Sequence, residues 1–444
     1  MKVTGIIAEY NPFHRGHKYQ IDYCKKELHS DYVVVVMSGD YVQRGTPALL
    51  PKHVRAEMAL RCGADLVLEM PVSVSTASAE AFAMGAVSML DGLHVTDYLC
   101  FGSEYGEVSA LQELAAVLVS EPEEYRLFLK KFLSAGCSFP AARSQALVEY
   151  FKNPHNFSGD TFDGILTPLL NQITQILNSP NNILGIEYCK ALNRLKSSLK
   201  PVTLKRQGMG YHDTLTAASS AHAVSADISG KNPPFASASA IRELLTSTLT
   251  QETIAQISAQ VPDEASAFFV SSLRNNGYLS EEVLDDLLIY RIMYEDAESL
   301  SQYLDVSGNL AERIINCRNE ISGFTQAASL LKTKELTQTR IQRALLHSIL
   351  QIREAPLSVP YSRVLGFRKE SSPLLKEIKK NSALPVLTKL ADSDALLDET
   401  GKRLLSETTA ASNLYEKLLC KKNGQKFIHE YQKQLVIFYI NIQS

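Results

Sequence analysis

Residues 2–17 read KVTGIIAEYNPFHRGH, and the order of residue types in this stretch decides the fold. Residues 2–8 are a short apolar run that stops at Glu9, Tyr10, Asn11 and Pro12, the pattern of a strand running into a turn. Residues 17–29 then carry helical spacing. Outward from there the rhythm repeats. Residues 31–37 (DYVVVVM) are β-branched and continuous, as in a strand covered on both faces. Residues 52–62 are helical, and residues 64–70 (ADLVLEM) form a third strand stopped by Pro71. Residues 75–90, rich in Ala and Met, read as a buried helix, and residues 95–101 as a fourth strand ahead of Gly102, Ser103 and Glu104. This β-α-β-α order predicts an α/β fold, a parallel sheet with helices on both faces. Ligands in such sheets bind beyond the carboxyl ends of the strands. Three polar clusters fall there: residues 9–17, 38–44 and 102–104.

Within the first cluster, His14-x-Gly16-His17 sits after a strand and at the start of a helix. Gly16 lets backbone approach a phosphate, the helix N-terminus offers unpaired N–H groups, and two imidazoles can donate to phosphate oxygens as charge builds on them. The bland alternative is two histidines that only cap a helix. In the second cluster, Arg44 can pair with phosphate, and Asp40 can hold Arg44 or assist a metal; a plain loop with a surface ion pair reads equally well. Gly102 can let adenine or ribose lie on bare backbone, or can simply end a strand. Further along, residues 179–185 (SPNNILG) open a helix, so Asn181 and Asn182 read as base or ribose contacts or as part of a cap. A short strand at 201–205 precedes Arg206, within reach of phosphate. Residues 237–243 (SASAIRE) start another helix, which carries Arg242 one turn in, beside Ser239 as a possible N-cap. His212, in a Gly-Tyr-His-Asp turn, stays open. The remaining histidines and the seven cysteines show no metal-ligand spacing and no CxxC, so no metal site is expected.

Over all 444 residues, 45 basic residues face 48 acidic ones, a formal net charge of −3, with 45% hydrophobic and 21% charged residues. Wholesale disorder is excluded, and so is a uniformly basic nucleic-acid binder. No apolar run approaches a membrane span, and Glu9 interrupts the only stretch resembling a signal peptide, so a cytoplasmic protein is expected. The Ala/Ser-rich residues 214–234 read as a linker. From residue 239 onward helical patterns dominate, with no strand expected before the last twenty residues. The expected division is therefore 1–240 and 241–444. Within the second part, residues 331–380 hold eleven basic and four acidic residues, a local excess of seven positive charges in a chain that is acidic overall. Lys332, Lys334, Arg340, Arg343, Arg363 and Arg368, with Tyr361 and Phe367 interleaved, fit a polyanion-binding face.

Taken as an ordered set, EYNPFHRGH, MSGDYVQRGTPA, DLVLEMP, FGSE, SPNNILG, RQGMGYHD, SASAIR, KTKELTQTRIQR and SRVLGF resemble the bacterial tRNA(Met) cytidine acetate ligase family, from residue 1 to about 370. The resemblance implies a Rossmann-like sheet of the HUP or nucleotidyltransferase type, followed by a mostly α-helical tRNA-binding region. It implies that acetate and ATP give acetyl-adenylate, whose acetyl group passes to N4 of the wobble cytidine of elongator tRNA(Met). It implies His14 and His17 as catalytic residues. It also implies an ATP site formed by Ile7, Ala8, Glu9, Tyr10, Asn11, Pro12, Phe13, His14, Arg15, Gly16, His17, Lys18, Tyr19 and Gln20, joined by Gly102, Arg206 and Asn181 or Asn182, Asn181 being preferred. ATP is then a substrate, Mg²⁺ its expected companion, and acetate and tRNA the partners, with no obligatory protein partner implied. Family members that carry another residue at Asp40 argue against Asp40 as an obligatory metal ligand or base. Two other readings remain: a small-molecule adenylyltransferase making a dinucleotide cofactor, and a non-catalytic tRNA-binding protein with a degenerate pocket.

Overall fold

The protein is described as a computed structural model covering residues 1–153, 156, 173–206, 238–246 and 250–439. The linker at 214–234, residues 207–213 with His212, and Ser237 lie outside the described residues.

Seven strands make one mainly parallel sheet: β1 (Val3–Ala8), β2 (Tyr32–Ser38), β5 (Leu66–Met70), β6 (Tyr98–Ser103), β7 (Lys200–Lys205), β8 (Ser362–Arg368) and β10 (Val436–Phe438). Their order across the sheet is β10-β8-β5-β2-β1-β6-β7, and a two-residue β9 (Val386–Leu387) pairs with β8. A separate hairpin joins β3 (Tyr41–Val42) to β4 (Thr46–Pro47). β1 lies at the centre, in parallel register with β2 from Val3↔Tyr32 to Ala8↔Met37 and with β6 through Thr4↔Tyr98. The run of valines in β2 shows why the centre is apolar throughout. Val34 and Val36 pack on one face with Phe82 and Leu90, while Val33, Val35 and Met37 pack on the other with Ile21 and Leu60. A strand with both faces covered has no polar side to present.

Helix α1 (Arg15–Lys26) returns from β1 and α2 (Lys52–Arg61) leads to β5. The helix Ala79–Gly92, capped by Ser78, supplies Phe82 and Leu90 to the first core. The helix Pro180–Leu195 begins on proline, whose missing N–H costs nothing in a first turn. A third apolar cluster joins the helices of residues 285–350 to the long helix Glu399–Asn423 and reaches the sheet end through Tyr41 and Val72.

The early strands and helices fall where the pattern put them, within a few residues. The expectation of no strand between residue 239 and the last twenty residues is corrected. β8 pairs antiparallel with β5, Leu66 facing Phe367 and Glu69 facing Arg363, and β9 pairs with β8. β8 and β10 thus close one side of the sheet, so the sheet crosses the expected division at 240/241.

Candidate active site

At the carboxyl ends of β1 and β6 the sheet opens into a cleft of about 630 Å³. It is lined by residues from both halves of the chain, among them His14, His17, Gly102, Asn181, Arg206, Arg242 and Arg343. All three polar clusters do converge: Glu9, Tyr10, Asn11, His14, Gly16 and His17 from the first, Gln43 and Arg44 from the second, and Gly102 from the third line it.

The two histidines build the start of α1. His14 is the N-cap, and its Nδ1 accepts from the Gly16 N–H at 3.1 Å. The His17 Nδ1 accepts from the His14 N–H at 3.2 Å, completing a reciprocal cap. The rings stack with centroids 3.8 Å apart, and Tyr10 meets His17 edge-on at 4.8 Å. An Nδ1 that accepts carries no proton, so in the neutral ring the proton sits on Nε2. Burial holds both rings in that neutral form. It pushes His14 down from 6.5 to about 3, with help from the positive charges of Arg206 and Arg242. Burial, then His14 and Arg206, lowers His17 well below its ordinary value. Capping and phosphate binding are therefore compatible here: one ring nitrogen caps the helix and the other is left as an N–H donor.

Arg55 of α2 organises the strand ends from beneath. Fully buried, its guanidinium donates to the carbonyls of Leu50, Glu9, Ser38 and Gly39. One side chain thus ties the end of β1 to the end of β2. Asn11 is held from two sides: its Oδ1 accepts from the Leu49 N–H at 2.7 Å and its carbonyl from Arg242 at 2.6 Å. Tyr10 adopts φ 50°, a left-handed conformation uncommon outside glycine. Gly45, at φ 78°, has no Cβ to strike the backbone of Arg343, which would lie 2.4 Å away. The β3–β4 turn can therefore press directly on the helix Gln338–Leu350.

Of the expected nucleotide contacts, Ile7, Ala8, Glu9, Tyr10, Asn11, His14, Gly16, His17, Tyr19, Gln20, Gly102, Asn181 and Arg206 line the cleft. Pro12, Phe13, Arg15, Lys18 and Asn182 do not. Phe13 is buried in the core. Arg15 reaches Asp263 at 2.9 Å and the Ala259 carbonyl, and Lys18 pairs with Asp22 and Glu264. Asn182, 2% exposed, accepts from the Tyr105 N–H, whereas Asn181 faces the cleft while donating to Glu104 at 2.6 Å. Among the described residues, Asp40 neither ion-pairs with Arg44 nor joins a metal cluster. It caps α2 through the Lys52 N–H at 2.8 Å.

The basic segment divides. Arg343 lines the cleft and pairs with Asp305 at 2.8 Å. Arg340 lies in the same helix, and Lys332 and Lys334 are exposed just before it. Arg363 is corrected as a tRNA contact. It is 5% exposed and bonds Glu69 and Glu430, because a buried cation must find anionic partners. Arg368 is half-buried at the far end of β8, its backbone N–H bonded to the Asp65 carbonyl and its guanidinium over the Phe438 ring, on the side of the sheet away from the cleft. Tyr361 is buried and not available to stack. Sequence reading missed Arg55, Phe82, Tyr188, Thr337 and Thr339. The threonines carried the one usable signal, hydroxyls and Arg340 grouped at a helix start.

No helix among the described residues is long and apolar enough to cross a membrane. Residues 1–430 match the family model described as HIGH Nucleotidyl Transferase. A tRNA(Met) cytidine acetate ligase of Acetivibrio thermocellus is 37% identical, with 96% of this chain and 98% of that protein covered. One of the same name from Clostridium perfringens is 37% identical over 90% and 92%. The crystal structure of Thermotoga maritima TmcAL bound with alpha-thio ATP superposes with a TM-score of 0.84 at 26% identity, covering 99% of this chain and all of that one. Its apo form gives 0.86 at 27%. A family-model match over residues 1–430, relatives 37% identical along nearly the whole chain, and the matching fold place this protein in the tRNA(Met) cytidine acetate ligase family of HIGH nucleotidyl transferases.

Proposed function

We propose that the protein joins acetate to ATP, forming acetyl-adenylate and pyrophosphate, and then transfers the acetyl group to N4 of the wobble cytidine of elongator tRNA(Met) in the cytoplasm. The observation that carries this reading is the pair of neutral imidazoles with free Nε2–H donors in a cleft rich in arginine. Acetate is a poor acyl donor and a cytosine amino group a poor nucleophile. A mixed anhydride with AMP compensates for both. As a carboxylate oxygen attacks the α-phosphorus, charge grows on the phosphate oxygens and on the departing pyrophosphate. His14 and His17 donate to those oxygens, and Arg206 and Arg242 add fixed positive charge.

Mg²⁺ would neutralise the triphosphate when bound. Among the described residues no group of three His, Cys, Asp or Glu is placed to hold a metal. The described residues do not form a protein cage for it. Lys332, Lys334, Arg340 and Arg343 are the proposed tRNA contacts, Arg343 lining the cleft itself.

Incubation with ATP, Mg²⁺ and labelled acetate tests the reading. Acetate-dependent pyrophosphate release and an acid-labile acetyl-adenylate support it, as does labelled N4-acetylcytidine in tRNA(Met). AMP transfer to a phosphate ester instead would make the protein a small-molecule adenylyltransferase. Binding of tRNA without any turnover would leave only the non-catalytic reading.

A further inference from the structure

The cleft is built for a polyanion, yet it contains an acid. Among its described lining residues Arg44, Arg206, Arg242 and Arg343 are cationic, and Glu9 is the one carboxylate. A carboxylate beside bound phosphates weakens their binding by like-charge repulsion, so its presence calls for a function that a neutral residue cannot perform.

Glu9 is also fixed in place. It directly follows β1, and its carbonyl is bonded by Arg55 at 2.6 Å. Its Oε1 accepts from the Gln43 N–H at 2.7 Å. Its Oε2 has no hydrogen-bond or ion-pair partner among the described residues, and the side chain is only partly buried. One oxygen is anchored and the other is available to whatever enters the cleft. The two histidines, the four arginines, Tyr10 and Tyr188 suit proton acceptance from a nitrogen poorly. The histidines are buried with depressed basicity, the arginines stay protonated, and burial raises Tyr10 and Tyr188 above the ordinary phenol range.

We infer that Glu9 is the proton acceptor for the acetyl-transfer half of the reaction proposed above, on which this assignment rests. N4 of cytidine attacks the carbonyl carbon of acetyl-adenylate, and a C–N bond forms. The C–O bond to phosphate breaks, and AMP leaves with its electron pair. N4 gives one proton to Glu9 Oε2, which returns it to solvent. The adenylation half needs no proton acceptor, because acetate attacks as the anion. Glu9 therefore serves one half-reaction and not the other.

That asymmetry is the test. Glu9→Gln keeps an oxygen for the Gln43 N–H and nearly the same volume while removing the base. Acetyl-adenylate formation is followed as acetate-dependent pyrophosphate release without tRNA. Transfer is followed by mixing enzyme-bound acetyl-adenylate with tRNA(Met) in a single turnover. The variant is expected to lower the transfer rate by ~10²-fold or more, the usual contribution of a positioned base, and to lower adenylation at least tenfold less than transfer. Glu9→Asp should recover part of the transfer rate. Equal losses in both halves would make Glu9 an ATP or metal-nucleotide contact and overturn the assignment, as would a transfer rate matching the native enzyme. A native enzyme that forms no acetyl-adenylate would instead refute the proposed function, before Glu9 is tested at all.

Discussion

His14 and His17 each serve two purposes through different ring nitrogens, so the two can be separated. His14→Asn and His17→Gln place good capping residues at the N-cap and at the third helical position. Each should keep thermal stability within about 1 kcal/mol of the native protein. Each should also cut acetyl-adenylate formation on the order of 10²-fold, as loss of an oxyanion donor does. Equal activity with unchanged stability would reduce the pair to a helix cap. Both rings also make a linkage prediction. Their protonation is disfavoured in the folded state, His14 falling to about 3, so between there and 6.5 the unfolded chain binds more protons. Their contribution to stability is complete above 6.5 and is lost as pH falls toward about 3. Calorimetry between about pH 7 and pH 5 should show a steeper fall in Tm for the native protein than for the double variant. At this scale the sequence was most legible, because HxGH is local and its chemistry follows from spacing alone. Arg363 was not legible: a cation between apolar residues shows nothing of Glu69, 294 positions away.

At the scale of elements, α2 does more than connect β2 to β5. Arg55 spans both strand ends, and a single charged fork donates to four carbonyls. Arg55→Lys keeps the charge but cannot reach all four. Denaturant unfolding should show a loss of roughly 2–3 kcal/mol, in line with a charged hydrogen bond removed from a buried site. The KM for ATP should rise with it, since Glu9 and Gly39 would no longer be held. An unchanged KM with lowered stability would confine Arg55 to the fold. β1, β2, β5 and β6 were readable because a doubly covered strand is apolar along its length. β8 was not, because SRVLGFR places arginine near both ends and glycine within, and its partner β5 lies far upstream.

Across the whole molecule, the positive charge of residues 331–380 is distributed by the topology between two uses. Arg340 and Arg343 sit in the helix that borders the cleft, while Arg363 joins Lys52, Glu69 and Glu430 in a buried ionic group. Arg340→Ala with Arg343→Ala should weaken tRNA binding and flatten the plot of log affinity against log salt by up to ~2, about one unit for each phosphate that the variant no longer neutralises. Arg363→Ala should leave that slope unchanged and cost ~3–5 kcal/mol of stability, because it strands buried carboxylates. Filter binding over a salt series, paired with denaturation of the same variants, separates the two. Composition could reveal the excess of charge but not its division, since only the antiparallel return of β8 decides which cations face inward.

That return also sets an order of events. Asp40 caps α2 through the Lys52 N–H, and Gly39 presses against Glu69, yet the further counter-charge from Glu430 belongs to a segment translated some 380 codons after Lys52. During synthesis the nucleotide-binding loops emerge early and wait, with Lys52 and Glu69 paired to each other but not yet joined by Arg363 and Glu430, and with the β5 edge still unmatched. A product truncated before β8 would therefore carry the HxGH motif with the β5 edge unpaired and Glu69 without Arg363.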